Sequence, residues 1–231
     1  PCKQSVMEHL HELSDAARAL GAVNCVVIRE DGSFYGDNTD YSGFIAGLKR
    51  GLPQVAEDPA RLEHVVQLGA GGAGSATAYA LCRLGVHRLS LFERDAAKAQ
   101  ELAEQLGGLF PQTRIEVLTD DERLIEALLE AQGLVNATPV GMHVHPGMPL
   151  SESALSAGVL REGLWVADVI YLPQQTQLVR AARAAGCEVL TGGYMAVGQA
   201  VDAFRLFTGL EPNAERMAAH FEVLIAAQQG I

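Results

Sequence analysis

Positive charge is what this chain has least of. Its 231 residues carry 17 Lys and Arg against 28 Asp and Glu, a formal net charge of −11. Nucleic acid and anionic membrane surfaces both demand a basic patch, so this balance argues against either as a partner. Cysteine is sparse too. Cys2, Cys25, Cys82 and Cys187 are scattered with no C-x-x-C pair, as expected of reduced structural thiols in a cytoplasmic protein. No apolar run is long enough to span a bilayer, and no signal-peptide pattern opens the sequence. The histidines form neither H-E-x-x-H nor a cluster with cysteine. His143 and His145 fall in a Pro-rich loop, and no metal site is expected. Internal repeats and low-complexity tracts are also lacking.

What the chain does have is apolar substance. Hydrophobic residues make up 48%, enough for a sizeable core in one large domain or two small ones. Residues 4–20 read as an amphipathic helix, with Val6, Leu10, Leu13, Ala17 and Leu20 at helical spacing and Gly21 as its stop. Residues 22–28 and 33–36 read as a β-hairpin about Asp31-Gly32. Thr39 or Asp40 is placed to cap a helix running to Lys49, and residues 51–58, with two prolines, read as a linker.

From Glu63 the rhythm changes. Strands are expected at 64–68, 88–92, 114–118, 133–136, 165–170 and 188–190. Helices are expected between them at 73–84, 95–106, 121–131 and 174–185, with a polar loop over 138–150. Such alternation implies a parallel sheet with right-handed crossovers. Two further helices, about 194–208 and 212–229, close the chain.

The first strand–helix junction reads Gly69-Ala70-Gly71-Gly72-Ala73-Gly74, a G-x-G-x-x-G pattern. In a Rossmann-type βαβ unit the first glycine permits a tight turn and the second lets backbone approach a pyrophosphate. The third lets helix and strand pack closely, and the helix N-terminus favours the phosphates. Glu93, at the tip of the next strand, lies 19 residues past Gly74. An acidic residue there can bond the adenine-ribose hydroxyls of NAD and repel the 2′-phosphate of NADP. Asp95 adds to that repulsion, while Arg94 and Lys98 favour a 2′-phosphate. The balance favours NAD over NADP.

Flanking motifs extend the pattern: Pro1-Cys2-Lys3-Gln4, then Gly21-Ala22-Val23-Asn24 and Asn38-Thr39-Asp40. Asn136-Ala137-Thr138-Pro139-Val140-Gly141-Met142 follows. Asp168-Val169-Ile170-Tyr171-Leu172-Pro173 comes next, then Gly192-Gly193-Tyr194-Met195 and Gln199-Ala200. In this order and spacing the chain resembles the shikimate dehydrogenase family, and within it the NAD-using quinate/shikimate dehydrogenases.

The resemblance implies the site residues. Lys3 takes the place of the acid/base lysine and Asp40 that of its aspartate partner. Asn24, Tyr171 and Gln199 fall where the substrate is contacted. Thr138, Met142, Val169, Gly192 and Met195 fall along the nicotinamide half of the cofactor site. Gly69 to Gly74, with Glu93, Arg94 and Lys98, serve the remainder. Oxidising a secondary alcohol sends a hydride to NAD and a proton to a base, which suits these residue types. Each has an ordinary alternative: Lys3 as a solvated lysine, Asp40 as a helix cap, Asn24 as a hairpin residue, Tyr171 as a strand-end aromatic, Gln199 as helix surface, Met195 as core.

The expected fold is α/β: a Rossmann-type domain over 51–192, and a partial α/β substrate domain from 1–50 with 193–231. Family members carry several tens of residues before the Pro-x-Lys segment, with hydroxyls that bind the substrate carboxylate. The resemblance therefore implies an incomplete substrate lobe and little turnover by residues 1–231 alone. The expected reaction is reversible, NAD-dependent oxidation of the ring 3-hydroxyl of quinate or shikimate, a polyhydroxy cyclohexane or cyclohexene carboxylate, by a monomer or homodimer. NADP-dependent shikimate dehydrogenase and a non-catalytic ligand sensor on the same fold are the alternatives.

Overall fold

The computed structural model describes residues 2–228. Pro1, which opens the Pro-x-Lys segment, and residues 229–231, which include the end of the last expected helix, lie outside them.

Two sheets are present. The smaller contains β1 (Glu12–Leu13), β2 (Cys25–Ile28) and β3 (Phe34–Asp37) in the order β1-β3-β2. β1 runs parallel to β3, and β2 antiparallel to it, across the expected Asp31-Gly32 turn. The larger contains β4 (His64–Leu68), β5 (Arg88–Phe92), β6 (Arg114–Leu118), β7 (Gly133–Asn136), β8 (Trp165–Asp168) and β9 (Glu188–Leu190). Its order is β6-β5-β4-β7-β8-β9, and every pairing is parallel. From β4 the chain winds outward to β6, then crosses back to β7. That reversal makes the carboxyl ends of β4 and β7 the switch point where open α/β sheets bind ligands.

The helices are α1 (Cys2–Ser5), α2 (Asp15–Leu20), α3 (Asp40–Gly51), α4 (Pro53–Glu57), α5 (Gly72–Arg83), α6 (Ala96–Leu109), α7 (Asp121–Glu130), α8 (Glu152–Ser156), α9 (Gln177–Ala184), α10 (Gly192–Thr208) and α11 (Ala214–Gln228). Alternate residues of each strand face opposite sides. On β4, Val65 joins a core under α3, α5 and α6, while Val66 and Leu68 join a second core under α7 and α9. Both faces of the sheet are therefore covered, as parallel sheets require. No helix among the described residues is long and apolar enough to cross a membrane.

Three differences from the sequence reading go beyond a shifted element end. The expected helix over 4–20 is broken into α1, a 3-10 turn at Met7–His9, β1 and α2. His11 and Ser14 donate backbone N–H bonds to Phe34 and Gly36 of β3, at 2.9 Å each. Ser14 then caps α2 by accepting from the Ala17 N–H. Leu10 and Leu13 pack over Gly36, so their spacing records packing against the small sheet rather than one helix face. The expected linker over 51–58 is instead the end of α3 followed by α4. Pro53 opens α4 in the first turn, where a missing N–H costs nothing, and Val55 is fully buried. Finally, α8 is too short to leave a periodic signal; Ser151 caps it.

One buried polar chain crosses the large sheet. The His64 ring nitrogen Nε2 bonds Ser90 Oγ at 2.8 Å, and Ser90 donates to Glu116 at 2.6 Å. His64 Nδ1 is buried without a partner. Burial, helped by Arg88, lowers the imidazole from its usual 6.5 to about 4. Between those values the unfolded chain binds a proton that the fold refuses, so this group's contribution to stability declines as pH falls from 6.5 toward 4. Urea denaturation of His64→Gln across that range is expected to give a flatter stability–pH curve than the parent. Parallel curves would refute the assignment.

Candidate active site

The glycine loop joins β4 to α5 at the switch point. Gly69 has φ +97°, a backbone region open to glycine. A Cβ at Gly74 would lie 2.3 Å from the Gly69 carbonyl oxygen, so close packing excludes any larger residue there. Gly71 serves neither need. Its φ of −75° suits other residues, and a Cβ would meet nothing within 4 Å. Its bare backbone faces open space, and no side chain caps α5. The first-turn N–H groups are thus left for an anion, as a dinucleotide pyrophosphate requires.

Two side chains brace this loop. Glu93, at the tip of β5, accepts from the Ala70 N–H at 3.0 Å. Gln67 was not among the residues singled out from sequence. Its buried amide donates to the Gly69 carbonyl at 2.9 Å and the Gly74 carbonyl at 2.8 Å, and accepts from Thr77 Oγ1 at 2.8 Å. The legible signal was a lone polar residue inside the apolar strand run Val65-Val66-Gln67-Leu68.

Three cavities meet at Gly71. One is lined by Gly69, Glu93, Arg94 and Thr138. A second, of about 520 Å³, is lined by Gly72, Ala73, Thr138, Met142, Val169 and Tyr171. The third is lined by Lys3, Ala70, Gly72, Ser75 and Lys98. Gly192 and Met195 do not line the second cavity. Gly192 packs beneath it against the Val169 carbonyl, where a Cβ would lie 2.3 Å from the oxygen, and Met195 packs on the core. Lys98 pairs with Asp95 at 3.4 Å.

Behind Lys3, which lines the third cavity, the structure brings Lys3, Asn24 and Asp40 together. Lys3 Nζ lies 2.5 Å from Asp40 Oδ2. Asn24 Nδ2 donates to Asp40 Oδ1 at 2.9 Å, and its Oδ1 accepts from the Thr39 N–H at 2.9 Å. α1 is held in register by Val23, whose N–H donates to the Lys3 carbonyl at 2.8 Å. Neither Thr39 nor Asp40 caps α3 with its side chain. Asn38 takes the Asp40 N–H at 3.0 Å instead, leaving the Asp40 carboxylate to Lys3 and Asn24.

Gln199 stands apart. Its Nε2 donates to the Ala196 carbonyl of its own helix. Its backbone and Cβ approach the first turn of α3, which presents Asp40. A Cβ at Gly43, one turn beyond Asp40, would lie 2.5 Å from the Gln199 nitrogen. This close crossing of α3 and α10 through Gly43 and Gly198 was not read from the sequence, which shows isolated helical glycines without their partners.

A family model described as Shikimate 5'-dehydrogenase C-terminal domain matches residues 194–220. A shikimate dehydrogenase (NADP(+)) from Arthrobacter sp. (strain FB24) is 56% identical over 229 residues, taking in 99% of this chain and 74% of that protein. The chain belongs to the shikimate dehydrogenase family. Membership makes it an oxidoreductase. A quinate/shikimate dehydrogenase (NAD(+)) from Corynebacterium efficiens is 48% identical over 221 residues, 96% of this chain and 74% of that protein. The structure of quinate dehydrogenase from Corynebacterium glutamicum in complex with NAD superposes with a TM-score of 0.87 at 46% identity, covering 96% of this chain and 75% of that one. In this shikimate dehydrogenase family member, the open backbone at Gly71 and the uncapped α5 fit a nicotinamide dinucleotide.

The two helix-side glycines separate packing from ligand approach. Gly71→Ala is expected to fold with a Tm within a few degrees of the parent but to bind dinucleotide at least about tenfold more weakly. Gly74→Ala is expected to lower the Tm by several degrees or more. Thermal denaturation and titration calorimetry check both.

Proposed function

We propose that the site this chain presents serves, in the intact enzyme, reversible, NAD-dependent oxidation of the ring 3-hydroxyl of quinate or shikimate. The observation that carries this reading is the Lys3–Asp40 pair at 2.5 Å, held by Asn24, with Lys3 lining a cavity shared with the glycine loop. In the oxidation, the substrate hydroxyl loses its proton to Lys3 Nζ; in the reduction, the Lys3 ammonium returns it. Asp40 orients the amine, and Asn24 fixes Asp40. The dinucleotide, when bound, exchanges hydride with the ring carbon. Tyr171, half exposed in the cavity with Thr138, Met142 and Val169, is placed to contact substrate beside the nicotinamide. Gln199 would have to leave its bond to Ala196 to reach a substrate hydroxyl.

The division of labour follows the two sheets. Residues 51–192 form the dinucleotide lobe, and residues 1–50 with 193–231 belong to the substrate lobe. The packing of α10 on α3 supports that grouping. NAD is favoured because Glu93 puts a carboxylate beside the Ala70 N–H, where a 2′-phosphate would be repelled. NADP use is the second reading. Arg94 lines the same cavity as Glu93, and the Arthrobacter relative is named for NADP.

A steady-state panel of quinate and shikimate against NAD and NADP tests the reading, with a higher kcat/KM expected for NAD. In the intact enzyme, Lys3→Ala is expected to lower kcat by about 10²-fold or more while dinucleotide binding persists; near-normal kcat would refute the role. Glu93→Ala is expected to raise NADP use relative to NAD.

A further inference from the structure

Beneath the cavity lined by Thr138 and Tyr171 lies a carboxylate with no role in the proton transfer. Asp168 ends β8, is 1% exposed, and faces Asn136 at the end of β7 in the sheet register. Its Oδ1 accepts from Asn136 Nδ2 and the Ile170 N–H, at 3.1 Å each, and its Oδ2 accepts from Thr176 Oγ1 at 2.7 Å. The bonds continue outward. Asn136 Oδ1 accepts from the Thr138 N–H at 3.2 Å and the Thr138 hydroxyl at 2.7 Å, and Thr138 Oγ1 accepts from the Val140 N–H at 3.2 Å. Thr176 caps α9 through the Val179 N–H. One buried carboxylate thus ties together the 137–140 loop, the 169–171 segment and the start of α9. The first two are walls of the cavity.

We propose that Asp168 is a positioning residue whose ionised carboxylate holds Thr138 and the Val169–Tyr171 segment in the shape that receives the nicotinamide half of the dinucleotide. The proposal rests on the dinucleotide reading above.

An ionised carboxylate accepts all three bonds. A protonated one carries a donor and is a weaker acceptor. Thr176 can turn its hydroxyl to match, but the Asn136 Nδ2 group, whose Oδ1 is held by Thr138, and the Ile170 N–H can only donate. Loss of the charge therefore weakens the Asn136 side of the network, which leads to Thr138. The surroundings supply no counter-charge. β7 faces Asp168 with Asn136, and α9 with Thr176. The charged residues of α9, Arg180 and Arg183, bond Gln175. Glu188 of β9 bonds Arg61. The 169–176 segment adds only Tyr171, and the 137–149 loop adds His143 and His145; neither histidine bonds Asp168 among the described residues. Burial in this neutral shell raises the Asp168 carboxyl to about 6, so the network changes charge just below neutral pH.

The test uses the ligand-free protein first. In ¹H–¹⁵N spectra, the Asn136 side-chain amide and the Thr138 backbone amide are expected to titrate together with a midpoint near 6. Their titration is expected to vanish in Asp168→Asn, whose amide mimics the protonated acid. Calorimetry with NAD is expected to show Kd rising by roughly three- to fourfold as pH falls from about 7.5 to about 5.5, and Asp168→Asn is expected to bind more weakly than the parent at pH 7.5 and without that pH dependence. Should that variant fail to fold, Thr176→Val removes one bond to the ionised form. It is expected to move the midpoint upward, while Thr176→Ser leaves it in place.

A pH-independent Kd, an Asp168→Asn profile parallel to the parent's, or an unmoved midpoint in Thr176→Val overturns the proposal while leaving dinucleotide binding intact. Absence of NAD and NADP binding at every pH overturns both the proposal and the reading beneath it.

Discussion

The site depends on one buried amide. Gln67 lies fully inside a sheet whose neighbours on both faces are apolar, where an unpaired amide would be costly. Its amide is satisfied by the loop it supports, donating to the carbonyls of the first and third glycines and accepting from Thr77 of α5. Strand, loop and helix are thereby fixed in one geometry. Turning Gly71 toward solvent, leaving α5 uncapped and bringing Glu93 against Ala70 all follow from that geometry. The amide orders loop backbone through bonds that an apolar side chain could not make. Gly74 is too tightly packed to carry a Cβ, and Gly71 leaves one no neighbour.

A second constraint joins the two ends of the chain. Lys3, Asn24 and Asp40 come from the first fifth of the sequence, and Gln199 from the last. α10 reaches back across α3 at Gly43 and Gly198, where the two backbones approach so closely that a Cβ on either would clash. Gly47 makes the same kind of contact with Tyr194 one turn on. Small residues at a helix crossing trade side-chain burial for proximity. The proximity carries the backbone of Gln199 to the first turn of the helix that presents Asp40. The Ser42 hydroxyl bonds Asp202 across the same joint at 2.5 Å.

Much of the large sheet was legible because its strands are short apolar runs bounded by turns. The expected strands at 64–68, 88–92, 114–118, 133–136 and 188–190 coincide with β4, β5, β6, β7 and β9. The expected strand at 165–170 stops earlier, at Asp168, where the carboxylate turns the chain toward Ile170 and Thr176. The first fifty residues were less legible. Leu10 and Leu13 fit helical spacing, yet the backbone between them pairs with β3, so a non-local bond overrode a local period. Pro53 falls in the expected linker over 51–58, yet it opens α4. In the candidate site, residue types in order singled out Lys3, Asn24 and Asp40, which the structure brings into contact, and the glycine loop. The braces Gln67, Gly43 and Asp168 were not given a role, because a brace is defined by what it touches and sequence spacing does not report touch.

Glu93 shows how cofactor choice and loop shape are bound together. Its Oε2 holds the Ala70 N–H at 3.0 Å and its Oε1 meets the Asp95 N–H at 3.4 Å, so the carboxylate braces both the glycine loop and its own strand tip. On the proposed NAD reading the same charge repels a 2′-phosphate. Discrimination therefore costs no additional buried group. Of the two cations nearby, Lys98 is already paired with Asp95, while Arg94 lines the Glu93 cavity and makes no ion pair among the described residues. A phosphate at that position would gain Arg94 but face the Glu93 and Asp95 carboxylates at short range, where solvent screening is weakest. Replacing Glu93 by a neutral residue removes the repulsion and the brace together. Relaxed selectivity should then come with a loosened loop and weaker binding of both dinucleotides.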